Sequence, residues 1–303
     1  MDRTFVHNQT FKDMTHKTIP LYYCDIPNVG DQLSLWLVNQ ILSNNGIQAR
    51  YCNPDVPDKL AAVGSVISGL TLYSGTLFWG SGLLRPDVLR LFPLSYSLKT
   101  LQLKLTRFAK NPSSFYALRG PHSKKSVMKL GFSFKSIPFG DPAILMPLFY
   151  KPQIKPQYKV GVILHFRHLA EHPELLTLYP NVKFINVERS PDQVTSFIDE
   201  LCQCERIYSS SLHGIILAQA YGIPCRWFSL DEMPIHNFEN FKFEDYFLGV
   251  RQKVQDKVIV TAKEFNKLFT ETCYDSFICD DLKLNLLNAF PIEEIKELGN
   301  SCG

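Results

Sequence analysis

Several short stretches of this 303-residue chain gather the residue types that handle anions and protons. The most informative is Tyr208-Ser209-Ser210-Ser211-Leu212-His213-Gly214, which runs on through an apolar stretch to Tyr221-Gly222-Ile223-Pro224. A strand that ends in serines and opens straight into a helix leaves hydroxyls and unpaired backbone N–H groups at the helix start, and such an end favours an anion. Ser210, Ser211 and Gly214 are therefore candidates for holding one. His213, in the first turn, either serves a phosphate or a proton transfer near neutral pH, or is a satisfied histidine behind an N-cap; these residues alone balance the two.

Five further stretches place charged or polar groups at strand ends and turns. In Ile163-Leu164-His165-Phe166-Arg167-His168, two imidazoles and a guanidinium follow a buried strand, where ligands collect in α/β domains. His165 is a candidate acid, base or anion contact and Arg167 a candidate cation, while His168 is expected to face solvent. Arg119, in Ala117-Leu118-Arg119-Gly120-Pro121, either grips a carboxylate or phosphate in two-point geometry or makes an ordinary salt bridge. Lys242, in Phe241-Lys242-Phe243-Glu244-Asp245-Tyr246, either reaches an anionic ligand or projects from a half-buried strand or loop. Asn28-Val29-Gly30-Asp31 follows the first strand: Gly30 permits close backbone approach, and Asp31 either caps its helix, the commoner use, or binds a hydroxyl. Gly140-Asp141-Pro142-Ala143 reads as a tight turn with a structural aspartate.

These residues need strand ends to hold them. Ile19–Cys24, Val63–Ile67, Thr76–Trp79 and Phe115–Leu118 read as short strands in the first half, with helices after Asp31 and over Lys124–Leu130. The stretch from Pro147 to Lys159 has three prolines and three lysines and suits an exposed connector. Beyond it the α/β pattern restarts: strands at Val160–Leu164, Val182–Val187 and Arg206–Ser210, helices at Val194–Leu201 and His213–Tyr221. This divides the chain into domains at 1–150 and 151–262, with a mainly helical segment at 263–303 bracing them.

Composition narrows the function. Lys plus Arg number 32 against 29 Asp plus Glu, a net +3 that falls far short of a dedicated nucleic-acid binder. The eight cysteines, scattered and without a CxxC pair, read as free thiols of a reducing compartment. Residues 1–18 lack the apolar run of a secretory signal, and the apolar stretch 60–84 is broken by Gly and Ser, so no segment spans a bilayer. The expected location is cytoplasmic, either free or peripheral at the inner membrane. No H-E-x-x-H, clustered metal-ligand spacing, G-x-S-x-G, G-x-G-x-x-G or Walker A loop occurs, so neither a metal nor a nucleotide cofactor is expected.

Taken in order, Asn28–Leu33, Gly64-Ser65, Phe78-Trp79-Gly80-Ser81-Gly82, Leu118–Ser123, Gly140–Leu145, Ser209–Pro224 and Phe241–Tyr246 resemble the signature of the polysaccharide pyruvyl transferases, in particular the ketal-forming type of bacterial exopolysaccharide synthesis. The resemblance runs from about residue 20 to 250. It implies two Rossmann-like domains facing across a cleft, as in the B-type glycosyltransferases, with the acceptor on the first and phosphoenolpyruvate on the second. It implies catalytic roles for His213, Arg119 and His165, donor contacts from Ser210, Ser211, Gly214, Lys242 and Arg167, and acceptor contacts from Asn28, Gly30 and Asp31. The acceptor is a sugar, free or on a lipid-linked oligosaccharide at the inner membrane face, and no nucleic acid or cofactor takes part. Some relatives carry Arg-Leu-His-Gly where this chain has Ser211-Leu212-His213-Gly214, so another cation must replace that arginine. A sugar-nucleotide-dependent glycosyltransferase and a non-catalytic precursor-binding subunit share the architecture and stay open.

Overall fold

The computed structural model describes residues 17–86, 112–230, 239–275 and 277–298. The polar stretch 1–16 and Cys302, read above, lie outside them. The first half is built from β1 (Lys17–Tyr22), α1 (Val29–Leu42), β2 (Ile47–Tyr51), β3 (Leu60–Ala61), β4 (Leu77–Ser81), β5 (Ser114–Leu118) and α2 (Pro121–Met128). After α3 (Met146–Phe149) an extended stretch leads to the second half. That half holds β6 (Gly161–Ile163), α4 (Phe166–Glu171), α5 (Leu175–Leu178), β7 (Lys183–Phe184), α6 (Val194–Cys202), β8 (Ile207–Ser209), α7 (Leu212–Ala220), β9 (Cys225–Leu230), α8 (Glu239–Gly249) and β10 (Val258–Val260). Helices α9 (Asp280–Asn288) and α10 (Ile292–Leu298) follow.

Each half carries one five-stranded sheet, and every strand pair in both is parallel. The orders are β2-β1-β3-β4-β5 and β10-β9-β8-β6-β7, the same doubly wound arrangement twice over. The strand order reverses between β1 and β3 in one sheet and between β6 and β8 in the other. In such sheets the crevice for a ligand opens at the carboxyl ends of those two strands. Thus Asn28–Asp31 and Gly64-Ser65 stand at one crevice, and His165–His168 and Ser209–His213 at the other. Among the described residues no helix is long and apolar enough to cross a membrane, and the described cysteines are free thiols.

Parallel sheets need cover on both faces, and the strands alternate accordingly. Leu77 and Trp79 of β4 join one core while Phe78 points to another; Ile163, Ile207 and Trp227 likewise oppose Val162, Tyr208 and Phe228. The inner core is continuous from Leu33 and Leu37 of α1 to Phe197 of α6 and Ile215 of α7, so the two sheets share it. Backbone bonds reinforce the contact: Val29 N donates to Val187 O at 2.8 Å and Arg189 N to Pro27 O at 3.2 Å.

The chain returns twice to its first half. Helices α9 and α10 lie against it, with Trp79 Nε1 donating to Leu286 O at 2.7 Å and the Trp79 ring meeting Phe290 edge-on. Helix α8 packs against α2, and the contact admits no extra atom: a Cβ on Gly120 would lie 1.8 Å from Asp245 O, and one on Gly249 2.0 Å from Arg119 O. Two local expectations change. Val63–Ile67 is not a strand, because pairing in β3 stops at Ala61 and the chain turns at Gly64, whose φ is +107°. The Phe241–Tyr246 stretch is helical rather than extended, its aromatics at i, i+2, i+5 and i+6 burying Phe243, Tyr246 and Phe247.

At that contact Arg119 and Asp245, both 0% exposed, form an ion pair at 3.2 Å. Removing one partner of a buried pair strands the other's charge, which costs about 3–5 kcal/mol. Asp245→Ala is therefore expected to lower unfolding free energy by about that amount in urea titration, far more than Arg251→Ala, which breaks the exposed Arg251–Asp281 pair.

Candidate active site

At the first crevice Asn28, not Asp31, caps α1: its Oδ1 accepts from Gly30 N at 3.0 Å. Asp31 sits one turn further in, relieved of capping, half-buried and beside Gly64, where a Cβ would lie 3.7 Å from Asp31 Oδ1. At the second crevice α7 begins at Ser211, whose side chain makes no cap bond. The neighbouring serines are engaged: Ser209 Oγ accepts from Ser211 N at 3.1 Å, and Ser210 Oγ accepts from His165 N at 2.9 Å and meets His168 Nδ1 at 3.0 Å. That bond explains why His168 is buried, at 0% exposure, rather than solvent-facing. Gly214 is pressed against Ser209, with only 2.2 Å from a Cβ to Oγ. Ser209, Ser210 and Gly214 thus tie α7 to the ends of β6 and β8, leaving its first N–H groups directed at the crevice.

The two crevices meet at His213. The ring of His213 stands on Gly30: a Cβ there would lie 1.9 Å from Nδ1, so only glycine admits the imidazole. On the ring's other side, Nε2 lies 3.7 Å from Asp141 Oδ2. Asp141 is 0% exposed and its Oδ1 caps the 3₁₀ turn Pro142–Leu145 by accepting from Ala143 N at 3.0 Å. Its other oxygen and His213 Nε2 have no hydrogen-bond partner. The two atoms face each other at ion-pair distance inside the protein, and each keeps unused hydrogen-bond capacity.

The charges at this contact act on one another. Burial raises Asp31 to about 6 from an ordinary value of 3.8, and the positive charges of His213 and Lys242 pull it back down. Lys242, on α8 and 9% exposed, therefore belongs to the same electrostatic site. Asp31, His213, Asp141 and Lys242 come from four elements, two in each half.

The remaining candidates are held by contacts of their own. Arg119 is fully buried: Nε donates to Asp245 at 3.2 Å, one NH group to Ser65 Oγ at 2.8 Å and the other to Leu83 O at 2.6 Å. Asp245 also accepts from Ser123 N and Oγ, at 3.0 and 2.6 Å. This arginine locks α8, and with it Lys242, onto the first half. His165 caps α4, its Nδ1 accepting from Arg167 N at 3.3 Å, and Arg167 is exposed. Sequence reasoning assigned Asp141 to the turn alone; its second carboxylate oxygen has no signal in the motif, because the imidazole it faces is 72 positions away. Among the described residues no cluster of three His, Cys, Asp or Glu is placed to hold a metal ion. A cavity of about 570 Å³ lined by Lys159, Glu205, Arg206 and Cys273 opens at the opposite, amino-terminal edge of the second sheet and contains none of these groups.

Paired doubly wound parallel sheets, with an imidazole, two carboxylates and an ammonium gathered where their strand-order reversals face each other, define a mixed α/β protein with ligand crevices at the carboxyl ends of both sheets. The model of one family, polysaccharide pyruvyl transferase, matches residues 28–232, from Asn28 of the first crevice across both halves. The chain belongs to that family. An uncharacterised protein, L143, of Acanthamoeba polyphaga mimivirus is 25% identical over 227 residues, covering 74% of this chain and 71% of its own length. Among solved structures, a functionally uncharacterised protein of Klebsiella pneumoniae subsp. pneumoniae NTUH-K2044 is 13% identical with a TM-score of 0.47, covering 81% of this chain and 93% of its own. The glycosyltransferase SnogD of Streptomyces nogalater is 12% identical with a TM-score of 0.39, covering 93% and 95%.

An aspartate raised by burial strains the fold when ionised. That penalty is absent below the ordinary carboxylate range and grows as pH rises from about 4 through about 6. Asp31→Asn is therefore expected to raise the melting temperature relative to wild type by roughly 2–5 °C at pH 8 and by nothing measurable at pH 3.5, as followed by circular dichroism.

Proposed function

We propose that this chain transfers pyruvate from phosphoenolpyruvate to a pair of hydroxyls on a sugar of a surface-polysaccharide precursor, forming a pyruvate ketal. The reaction protonates the methylene carbon of the donor, adds one acceptor oxygen to C2, breaks the C2–O bond to phosphate and closes the second C2–O bond. Of the two hydroxyl protons, one ends on the new methyl group and the other on the departing phosphate. The reaction asks for cations around a carboxylate and a phosphate, an acid near the methylene carbon, and a base near the attacking hydroxyl.

The observation that carries this reading is the meeting of His213 with Asp31, Asp141 and Lys242 where the two crevices join. In the proposal, His213 delivers the proton, oriented by Asp141. The N–H groups at the start of α7, with Ser211, receive the phosphate, and Lys242 and Arg167 supply the cations that elsewhere come from the arginine at the Ser211 position. Asp31, ionised above about pH 6, takes the proton of the acceptor hydroxyl, and Asn28 and Gly30 shape the acceptor side. His165 flanks the phosphate. Arg119 acts as a positioning residue, through Asp245 and α8.

Mass spectrometry of the surface polysaccharide from cells with and without the protein tests the reaction: the reading requires an acid-labile pyruvate on the sugar only when the protein is present. Nucleoside diphosphate released from a sugar nucleotide by the purified chain, with no phosphate from phosphoenolpyruvate, would replace it with glycosyl transfer. His213→Ala is expected to lower kcat by about 10²–10⁴-fold with its circular dichroism spectrum unchanged. The acid limb of the kcat profile is expected near pH 6. In Lys242→Met the limb should move to higher pH, because the lost ammonium had been lowering Asp31; an unmoved limb removes Asp31 or Lys242 from the mechanism.

A further inference from the structure

Helix α2 and the loop after it carry a surface that the transfer reaction does not use. Lys124 and Met128, and Lys125 and Lys129, stand four residues apart and share one face, while Ser123 and Val127 turn inward. Lys125, Met128 and Lys129 are exposed, Met128 by 47%. With Pro121 and Lys124 they line a shallow groove of about 400 Å³. Lys124 leans over the Phe139 ring at 5.9 Å, and Lys135 is exposed on the following loop. Charge on this helix and loop is one-sided: from Pro121 to Gly140 the sequence has four Lys and no Asp or Glu, although the whole chain nets only +3. The remainder of the chain is therefore net negative, and a surface kept merely soluble would mix the two signs.

We propose that this face of α2 docks the protein on a bilayer surface containing anionic lipids, the lysines meeting headgroup phosphates and Met128 entering the boundary with the acyl chains. Lysine stems lie along apolar surface while their ammonium groups stay wet, which suits that boundary. Single-stranded nucleic acid is bound through stacking aromatic side chains beside the cations, whereas the exposed apolar group among these lysines is a thioether. Helix α2 starts directly after Gly120 at the carboxyl end of β5, the same sheet edge as the cleft, and carries these lysines toward its other end. Meeting the acceptor while it is lipid-linked rests on the transferase reading; the docking itself does not.

Co-sedimentation of the full chain with vesicles tests the proposal, using phosphatidylcholine alone and phosphatidylcholine mixed with phosphatidylglycerol, at low and high salt. Binding is expected only to the mixed vesicles and is expected to weaken with salt. Each lysine near such a surface contributes roughly fivefold, so replacing Lys125, Lys129 and Lys135 together by alanine should lower the partition coefficient by roughly 100-fold. All three are exposed, so the variant's circular dichroism should match wild type. Equal binding to neutral vesicles, undiminished binding by the triple variant, or no binding to the mixed vesicles would overturn the proposal. So would an oligonucleotide that displaces the chain from vesicles at equal charge concentration. With no donor or acceptor in the assay, a chain that failed to transfer pyruvate would still bind, and one that transferred it would still be free not to.

Discussion

The site depends on one van der Waals contact, the imidazole of His213 resting on the backbone of Gly30. Helices α1 and α7 each begin at the reversal point of a parallel sheet, and each presents its first turn to the same space. A side chain of any size at position 30 would hold those turns apart. With glycine there, the imidazole of one half enters the crevice of the other, and the carboxylates of Asp31 and Asp141 come to lie around it. The shared core and the Val29–Val187 and Arg189–Pro27 backbone bonds hold the halves at that separation.

Around the contact the protein spends stability on electrostatics. Asp31 is half-buried and raised to about 6, and Asp141 keeps one oxygen facing His213 with no hydrogen bond. A fold optimised only for stability would replace or satisfy both groups. The stabilising counterpart is the Arg119–Asp245 pair, whose carboxylate accepts three hydrogen bonds from the first half. Lys242 lies one helical turn before Asp245, so that pair also governs where the ammonium stands relative to Asp31. Desolvated and unpaired groups around His213 and full satisfaction at the Arg119–Asp245 anchor are two parts of one arrangement.

The alternating α/β pattern and the strand ends were readable because buried parallel strands are short apolar runs and helices announce themselves by period and cap. Val160–Leu164, Arg206–Ser210 and the helix after Ser211 follow from local chemistry of that kind. The same reasoning names Asn28, Gly30, Asp31 and His213, which sit beside strand ends in sequence as well as in space. It extends Val63–Ile67 into a strand because apolarity there reflects packing below the sheet edge rather than pairing. It reads Phe241–Tyr246 as a half-buried strand or loop because aromatics two residues apart fit a strand as well as they fit this helix, which buries Phe243, Tyr246 and Phe247 and leaves Glu244 and Leu248 partly exposed. Arg119's partner lies 126 positions away, so nothing near it in the chain could tell a buried clamp from a ligand grip. The family resemblance extends the reading to donor and acceptor, whereas the second role of Asp141 emerges only from the geometry.

In the proposed reaction both halves serve one anion, held where His213 rests on Gly30. A crystal structure of the chain with phosphoenolpyruvate bound tests it most directly. The account requires the phosphate or carboxylate within hydrogen-bond distance of the α7 start and of Lys242, with the three-carbon unit between His213 and Asp31 and the imidazole still on Gly30. A donor bound to one half alone, or halves parted so that His213 and Asp31 face different solvent spaces, would contradict it.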